Sequence, residues 1–196
     1  MSPRKIPWTV ALSLVLAGCA LPGAAPRQVQ VLDGAVLVRA PQFYCVDQQS
    51  APSSSDTAVV LIGRCNADGH VAAALLTVTV GPAASSGVML APDEALRGFM
   101  ASAAGRRVLA RSGRAGDVEV VSSGVADGIL LLHLLDREAG DYWRAIFGVN
   151  GRLITISASG AVGVPLTPDE GRKLVQQSVD ALRAANPAPP NPVPNG

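Results

Sequence analysis

The chain has 196 residues, of which 48% are hydrophobic and 16% charged, with a formal net charge of +1. That length suits one domain with a core of its own, and the balance of apolar to charged residues excludes an intrinsically disordered protein. Only Arg4 and Lys5 of the basic residues precede Cys19, so the remainder carries fourteen basic against fifteen acidic residues. Such a near-neutral domain offers no broad basic face for nucleic acid.

Arg4 and Lys5 give the amino terminus a positive start, and Trp8 to Leu16 follow as an uncharged, mostly apolar run of nine residues. A spanning helix requires ~20 such residues, so this run reads as the apolar region of an export signal. Leu16-Ala17-Gly18-Cys19 closes the segment with small residues before the cysteine. It resembles the signal peptides of bacterial lipoproteins and matches their lipobox at these four positions. The resemblance implies that residues 1–18 are removed and that Cys19 carries diacylglycerol and further acyl chains such as palmitate, which hold the protein on a membrane. An ordinary secretory signal with a chance cysteine is the alternative. By the same likeness, Ala20 in place of Asp does not specify inner-membrane retention and points to the outer membrane, facing the periplasm. Residues 19–28 then form a Pro/Gly/Ala-rich tether, residues 29–186 one domain, and residues 187–196, with five prolines, a solvated tail.

With Cys19 lipidated, Cys45 and Cys65 are left as an even pair in an oxidising compartment, and a disulfide between them is expected. Closing that loop stabilises the fold by roughly 3 kcal/mol in the chain-entropy picture. The alternative, a reactive cysteine with His70 as its base, lacks a partner constellation, and no CxxC is present.

The domain opens with strand signals. Val29–Leu32 and Ala35–Val38 flank Asp33-Gly34, a tight-hairpin cue. Pro41–Val46 and Thr57–Ile62 read as strands around a Ser/Pro-rich loop, and Ala74–Val80 alternates with Leu76, Val78 and Val80 on one face. A helix follows from Pro92, with Asp93 and Glu94 at its positive end and Leu96, Phe99, Met100 and Ala103 at helical spacing. Gly105 is expected to stop it, leaving Arg106 and Arg107 at its negative end. Strands at Val118–Ser122 and Gly128–Leu135 are joined by a turn around Gly124 and Asp127. The nearly continuous apolar run Ile129–Leu135 predicts a central strand covered on both faces. Tyr142–Val149 and Arg152–Ser159 meet at Asn150-Gly151, the most favoured two-residue hairpin turn. A final helix begins with a complete signal, Thr167 as cap, Pro168 at the first helical position and Glu170 to close a capping box, and carries Leu174, Val175, Val179 and Leu182 on one stripe.

The expected fold is therefore α+β: a mainly antiparallel sheet covered by a mid-chain helix and a long C-terminal helix. Across residues 29–186 this element order resembles the PsbP-like fold. That resemblance implies a binding or assembly factor rather than an enzyme.

Candidate chemistry is sparse. His70 and His133 have no Cys, His or Glu set at ligand spacing, so no metal and no cofactor are expected, and His133 within its apolar strand reads as a hydrogen-bonded core residue. Ser157 and Ser159 lie near Gly160 without forming a nucleophile elbow, and Asp93-Glu94 and Asp169-Glu170 are explained by helix capping. Arg97, Arg106, Arg107, Arg111 and Arg114 cluster within eighteen residues, where a phosphate-bearing lipid or an acidic protein could dock. A solvated helix end is the plainer account of that cluster. Tyr142 and Trp143 suggest either an exposed aromatic contact or a closure of the core. The sequence thus points to a non-catalytic envelope lipoprotein that binds or helps assemble an envelope partner. An envelope enzyme with an unrecognised site and a purely structural surface lipoprotein are the alternatives.

Overall fold

The structure, a computed structural model, describes residues 25–47, 49, 56–66 and 71–188. Cys19, His70, the segment expected to be an export signal and most of the C-terminal tail fall outside them.

Seven strands form one antiparallel sheet, and the chain visits it in two meanders. The first is β3 (Tyr44–Val46), β4 (Ala58–Arg64) and β5 (Ala74–Val80). The second starts at the far edge with β6 (Val118–Ala126) and returns through β7 (Ile129–Asp136), β8 (Gly140–Val149) and β9 (Arg152–Gly160). The meanders join where β9 pairs with β5, giving the order β3-β4-β5-β9-β8-β7-β6. Ahead of the sheet, β1 (Gln28–Val31) and β2 (Val36–Arg39) pair only with each other. Between the meanders lie a 3₁₀ turn (Ser85–Leu90), α1 (Asp93–Ala101) and α2 (Ala103–Leu109). The chain closes with α3 (Pro168–Ala185).

Helices cover both faces, so the fold is the α+β sandwich expected from the order of elements. On one face α3 and the β1–β2 hairpin bury Val36, Val38, Leu76, Val78, Phe147, Ile154, Ile156, Val175 and Leu182. On the other, α1 and α2 cover only the β6–β8 end, over Leu130, Leu132, Leu134, Tyr142 and Ile146. The alternation of β5 is as the sequence reads it, with Leu76, Val78 and Val80 buried. Each such side chain is worth roughly 1.5–3 kcal/mol of apolar transfer.

Several local expectations need correcting. The mid-chain helix does not stop at Gly105 but breaks at Ser102, which adopts extended backbone (φ −70, ψ 164) and caps α2 by accepting from the Gly105 N–H. Gly105 lies inside α2 because the two helices touch there: a Cβ on it would stand 2.1 Å from the Phe99 carbonyl oxygen. The β6–β7 turn is at Asp127-Gly128, both at positive φ, while Gly124 lies within β6 opposite Leu131. β3 is shorter than Pro41–Val46, since Phe43 turns through φ 67 before the strand begins. Finally, β7 is not central but next to the edge, and only one of its faces is fully covered.

Candidate binding cleft

The incomplete cover of β7 creates the site. α3 follows β9, at the middle of the sheet, and packs over β8, β9 and β2. Its start is complete: Thr167 Oγ1 accepts from the Glu170 N–H, and the Glu170 carboxylate accepts from the Thr167 N–H at 3.1 Å. Gly171 lets the first turn approach the sheet, where a Cβ would meet Trp143 Cδ1 at 2.9 Å. A single helix about 10 Å wide cannot also cover β7 and β6. Leu130, Leu132 and Leu134 are fully buried beneath α1 and α2. On the α3 face, Ile129, Leu131 and His133 are only partly covered, and Leu135 is 48% exposed.

The resulting cleft has a volume of about 470 Å³. Ile129, Leu131 and Ala145 form its floor, Val175 and Val179 its apolar wall on α3, and Gly124 and Ala126 of β6 the opposite side. Polar groups sit around this apolar interior: Arg172 and Gln176 from the first half of α3, and Asp127 and Asp180 at the other end. Small residues on β6 give the cleft its depth.

Beside Arg172 lies an ordered aromatic group. The His133 ring stacks on Trp143 with centroids 4.6 Å apart and planes 2° apart, and the Arg172 guanidinium carbon is 5.7 Å from the Trp143 ring centre. His133 Nε2 donates to Asp141 Oδ1 at 2.8 Å. His133 is therefore hydrogen-bonded, as a histidine in an apolar strand should be, yet it flanks a cleft rather than filling a core. Ser122 is its partner in the β6–β7 register, but no hydrogen bond joins the two side chains among the described residues.

The other candidates are dispersed. Tyr142 and Trp143 point to opposite faces: Tyr142 is buried under α2, its hydroxyl donating to the Leu109 carbonyl at 3.3 Å, while Trp143 packs towards α3. Of the arginine cluster, Arg106 turns inward to the Ala101 and Ala115 carbonyls and Arg114 pairs with Asp117 at 2.7 Å, whereas Arg97, Arg107 and Arg111 are exposed. Ser157 Oγ accepts from Arg144 Nε at 2.9 Å. Cys45 and Cys65 are joined by a disulfide, with Cα atoms 4.9 Å apart. Among the described residues no group of three His, Cys, Asp or Glu side chains could hold a metal ion, and no helix is long and apolar enough to cross a membrane.

Two buried carboxylates fasten the α2–β6–β7 corner. Asp117 accepts from Ser112 Oγ at 2.6 Å, the main influence holding its carboxyl below the usual range; burial opposes it, and Arg114 and Arg137 reinforce it. Burial works to raise Asp136, but the N–H groups of Ala139, Arg111 and Glu138 together outweigh it and hold this carboxyl low as well.

Sequence reasoning missed Arg172, Gln176 and Asp180, which look like ordinary solvated positions on an amphipathic helix. The usable signal was a mismatch: β7 is apolar on both sides, while the β6 residues on the α3 side, Ser122, Gly124 and Ala126, are too small to cover it.

The chain is thus an α+β sandwich with an open cleft between its C-terminal helix and β7. No protein-family model matches it, and neither does any curated protein sequence. Among solved structures, it aligns with the Saccharomyces cerevisiae Ran-binding protein Mog1p at 11% identity, covering 83% of this chain and 95% of that one with a TM-score of 0.44. A point mutant of the protein Mog1 aligns at 12% identity, covering 81% and 93%, with a TM-score of 0.43. Likeness at this level transfers no function.

Proposed function

We propose that this protein is a lipid-anchored, non-catalytic binding module of the bacterial cell envelope, held at Cys19 on the periplasmic face of the outer membrane, with the α3–β7 cleft as its binding site. The observation that carries the binding reading is the half-covered β7. Ile129 and Leu131 remain partly open to water beside a fixed aromatic pair, in a pre-formed concave space of about 470 Å³ with a few polar groups at its rim. That is the usual make-up of a ligand site. The anchor reading rests on the lipobox at residues 16–19. Arg97, Arg107 and Arg111, all exposed, are a second surface on which an anionic envelope partner could rest.

Two measurements test the two halves separately. Cells fed an alkyne-tagged palmitate should label the wild-type chain and leave Cys19→Ala unlabelled; an unlabelled wild type sinks the anchor. For the cleft, Gly124→Trp places an indole opposite Leu131 and should abolish binding of whatever envelope component co-purifies with the wild type, while the unfolding temperature stays near wild type. A variant that retains the component overturns the assignment of the cleft.

A further inference from the structure

The two edges of the sheet are treated very differently. At one edge β3 is only three residues long, and the chain before it covers it: the Val46 N–H donates to the Pro26 carbonyl at 2.8 Å. At the other edge β6 runs for nine residues and pairs only with β7. α1 and α2 lean on its first residues, with Ala101 and Arg106 beside Val118 and Glu119. Beyond the irregularity at Val121, where the β6–β7 register shifts, the stretch from Ser122 to Ala126 contains no charge and no proline. Long edges without such guards are templates for strand pairing.

The hydrogen-bond phase of that edge follows from the turn. A two-residue loop at Asp127-Gly128 makes Ala126/Ile129 a hydrogen-bonded pair, so Gly124/Leu131 and Ser122/His133 are hydrogen-bonded as well. Ser123 and Val125 therefore aim their N–H and C=O groups away from the sheet. The side chains of Ser122, Gly124 and Ala126 face α3, so a strand added here would send alternate side chains over the mouth of the cleft.

Charge then sets the direction. Asp127 and Asp180 rim the cleft at the end where β6 finishes, and Arg172 rims it near His133, beside Ser122. None of these three makes an ion pair among the described residues. Arg183 is also at the acidic end, where its guanidinium donates to the Asp127 carbonyl and lies over Phe147. Asp141, near Arg172, is engaged by His133. A strand antiparallel to β6 begins beside Asp127 and Asp180 and finishes beside Arg172.

We infer that β6 receives an extended segment of a partner protein as an eighth, antiparallel strand, apolar at alternate positions, basic near its start and acidic near its end. This inference rests on the reading of the cleft as a binding site and adds the chemistry and orientation of its occupant. Main-chain bonds supply the affinity and the cleft reads alternate side chains, as in other strand-addition complexes.

The test uses the full, isotope-labelled chain and the synthetic peptide Lys-Thr-Val-Thr-Val-Thr-Glu, in which the lysine, the valines and the glutamate share the cleft-facing side, with amide hydrogen exchange as the readout. Protection should rise at Ser123 and Val125. The charge-reversed peptide Glu-Thr-Val-Thr-Val-Thr-Lys should bind about tenfold more weakly. Alternate N-methylation of the peptide, or Ser123→Pro in the protein, should remove the protection, and the proline spares the β7 ladder because that N–H points outward. Equal binding by the N-methylated peptide overturns the inference, as does no binding by any peptide. Protection confined to Leu131 and Val175 overturns strand addition while leaving the cleft as a binding site. Concentration-dependent protection at Ser123 and Val125 without peptide shows that a second copy of the chain occupies the edge, and the partner-segment proposal falls.

Discussion

Asp136 shows how a single side chain can hold a corner together. It is 2% exposed, and its carboxylate accepts from three backbone N–H groups at 2.8–3.0 Å. Asp136→Ala leaves all three donors without a partner and should cost about 3 kcal/mol in denaturant unfolding. Asp117 and Asp136 both have carboxyls lowered in the folded state, so their stabilisation is fully present above the unfolded carboxylate pKa of about 3.9. It is lost as pH falls from there through the lower folded values, because only the unfolded state takes up protons in that window. Urea titrations between neutral pH and pH 3 should show the decline, and it should be shallower in Asp136→Ala. Gly105 is the steric counterpart. Its missing Cβ would fall 2.1 Å from the Phe99 oxygen, so Gly105→Ala should destabilise by about 2 kcal/mol although alanine favours helix, as thermal unfolding can check. Neither effect was legible in the sequence. Gly105 reads there as a helix stop, because the Phe99 carbonyl that excludes a Cβ lies across the α1–α2 break, and the Arg111 N–H reaches Asp136 from a distant part of the chain.

At the scale of elements, legibility followed locality. The start of α3 was readable in full because a capping box is written in four consecutive residues, Thr167 to Glu170. Thr167→Ala should cost about 1 kcal/mol. The Asn150-Gly151 turn and the alternation of β5 were readable for the same reason. The break between α1 and α2 was not, since Ser102 leaves the helix only where Gly105 can close against Phe99. The far end of α3 carries another non-local device. Asn186 accepts from the Leu37 N–H at 2.9 Å and donates to the Leu37 carbonyl at 2.8 Å, so one side-chain amide imitates a paired strand for β2. Replacing it with alanine frees both groups. Amide exchange at Leu37 should rise sharply in Asn186→Ala while the seven-stranded sheet stays protected.

At the scale of the whole molecule, the two-sided sandwich was legible and the strand order was not. Hairpin cues determine which consecutive strands pair, but the β5–β9 pairing that joins the meanders spans the entire mid-chain insertion. Without it, β7 looked central and covered on both faces. Its position next to the edge, with α3 too narrow to reach across, opens the cleft. The candidate site was therefore hidden at the same step as the topology. The Cys45–Cys65 bond acts on the same scale, and reducing it should lower unfolding stability by about 3 kcal/mol, measured with and without reductant.

The disulfide also has a mechanical consequence. Tension on the amino terminus enters at Arg27 and Gln28 and first meets the β1–β2 hairpin, which shares no ladder with the seven-stranded sheet, and then the short β3. Peeling halts at Cys45, because the load there crosses the sulfur bridge to Cys65 and skips the chain between them. With the bridge cut, the sequence separation of 20 residues becomes free length, roughly 70 Å when extended. Under the proposed lipid anchor, the oxidation state of one cysteine pair would thus set how far the rest of the domain can travel from the membrane.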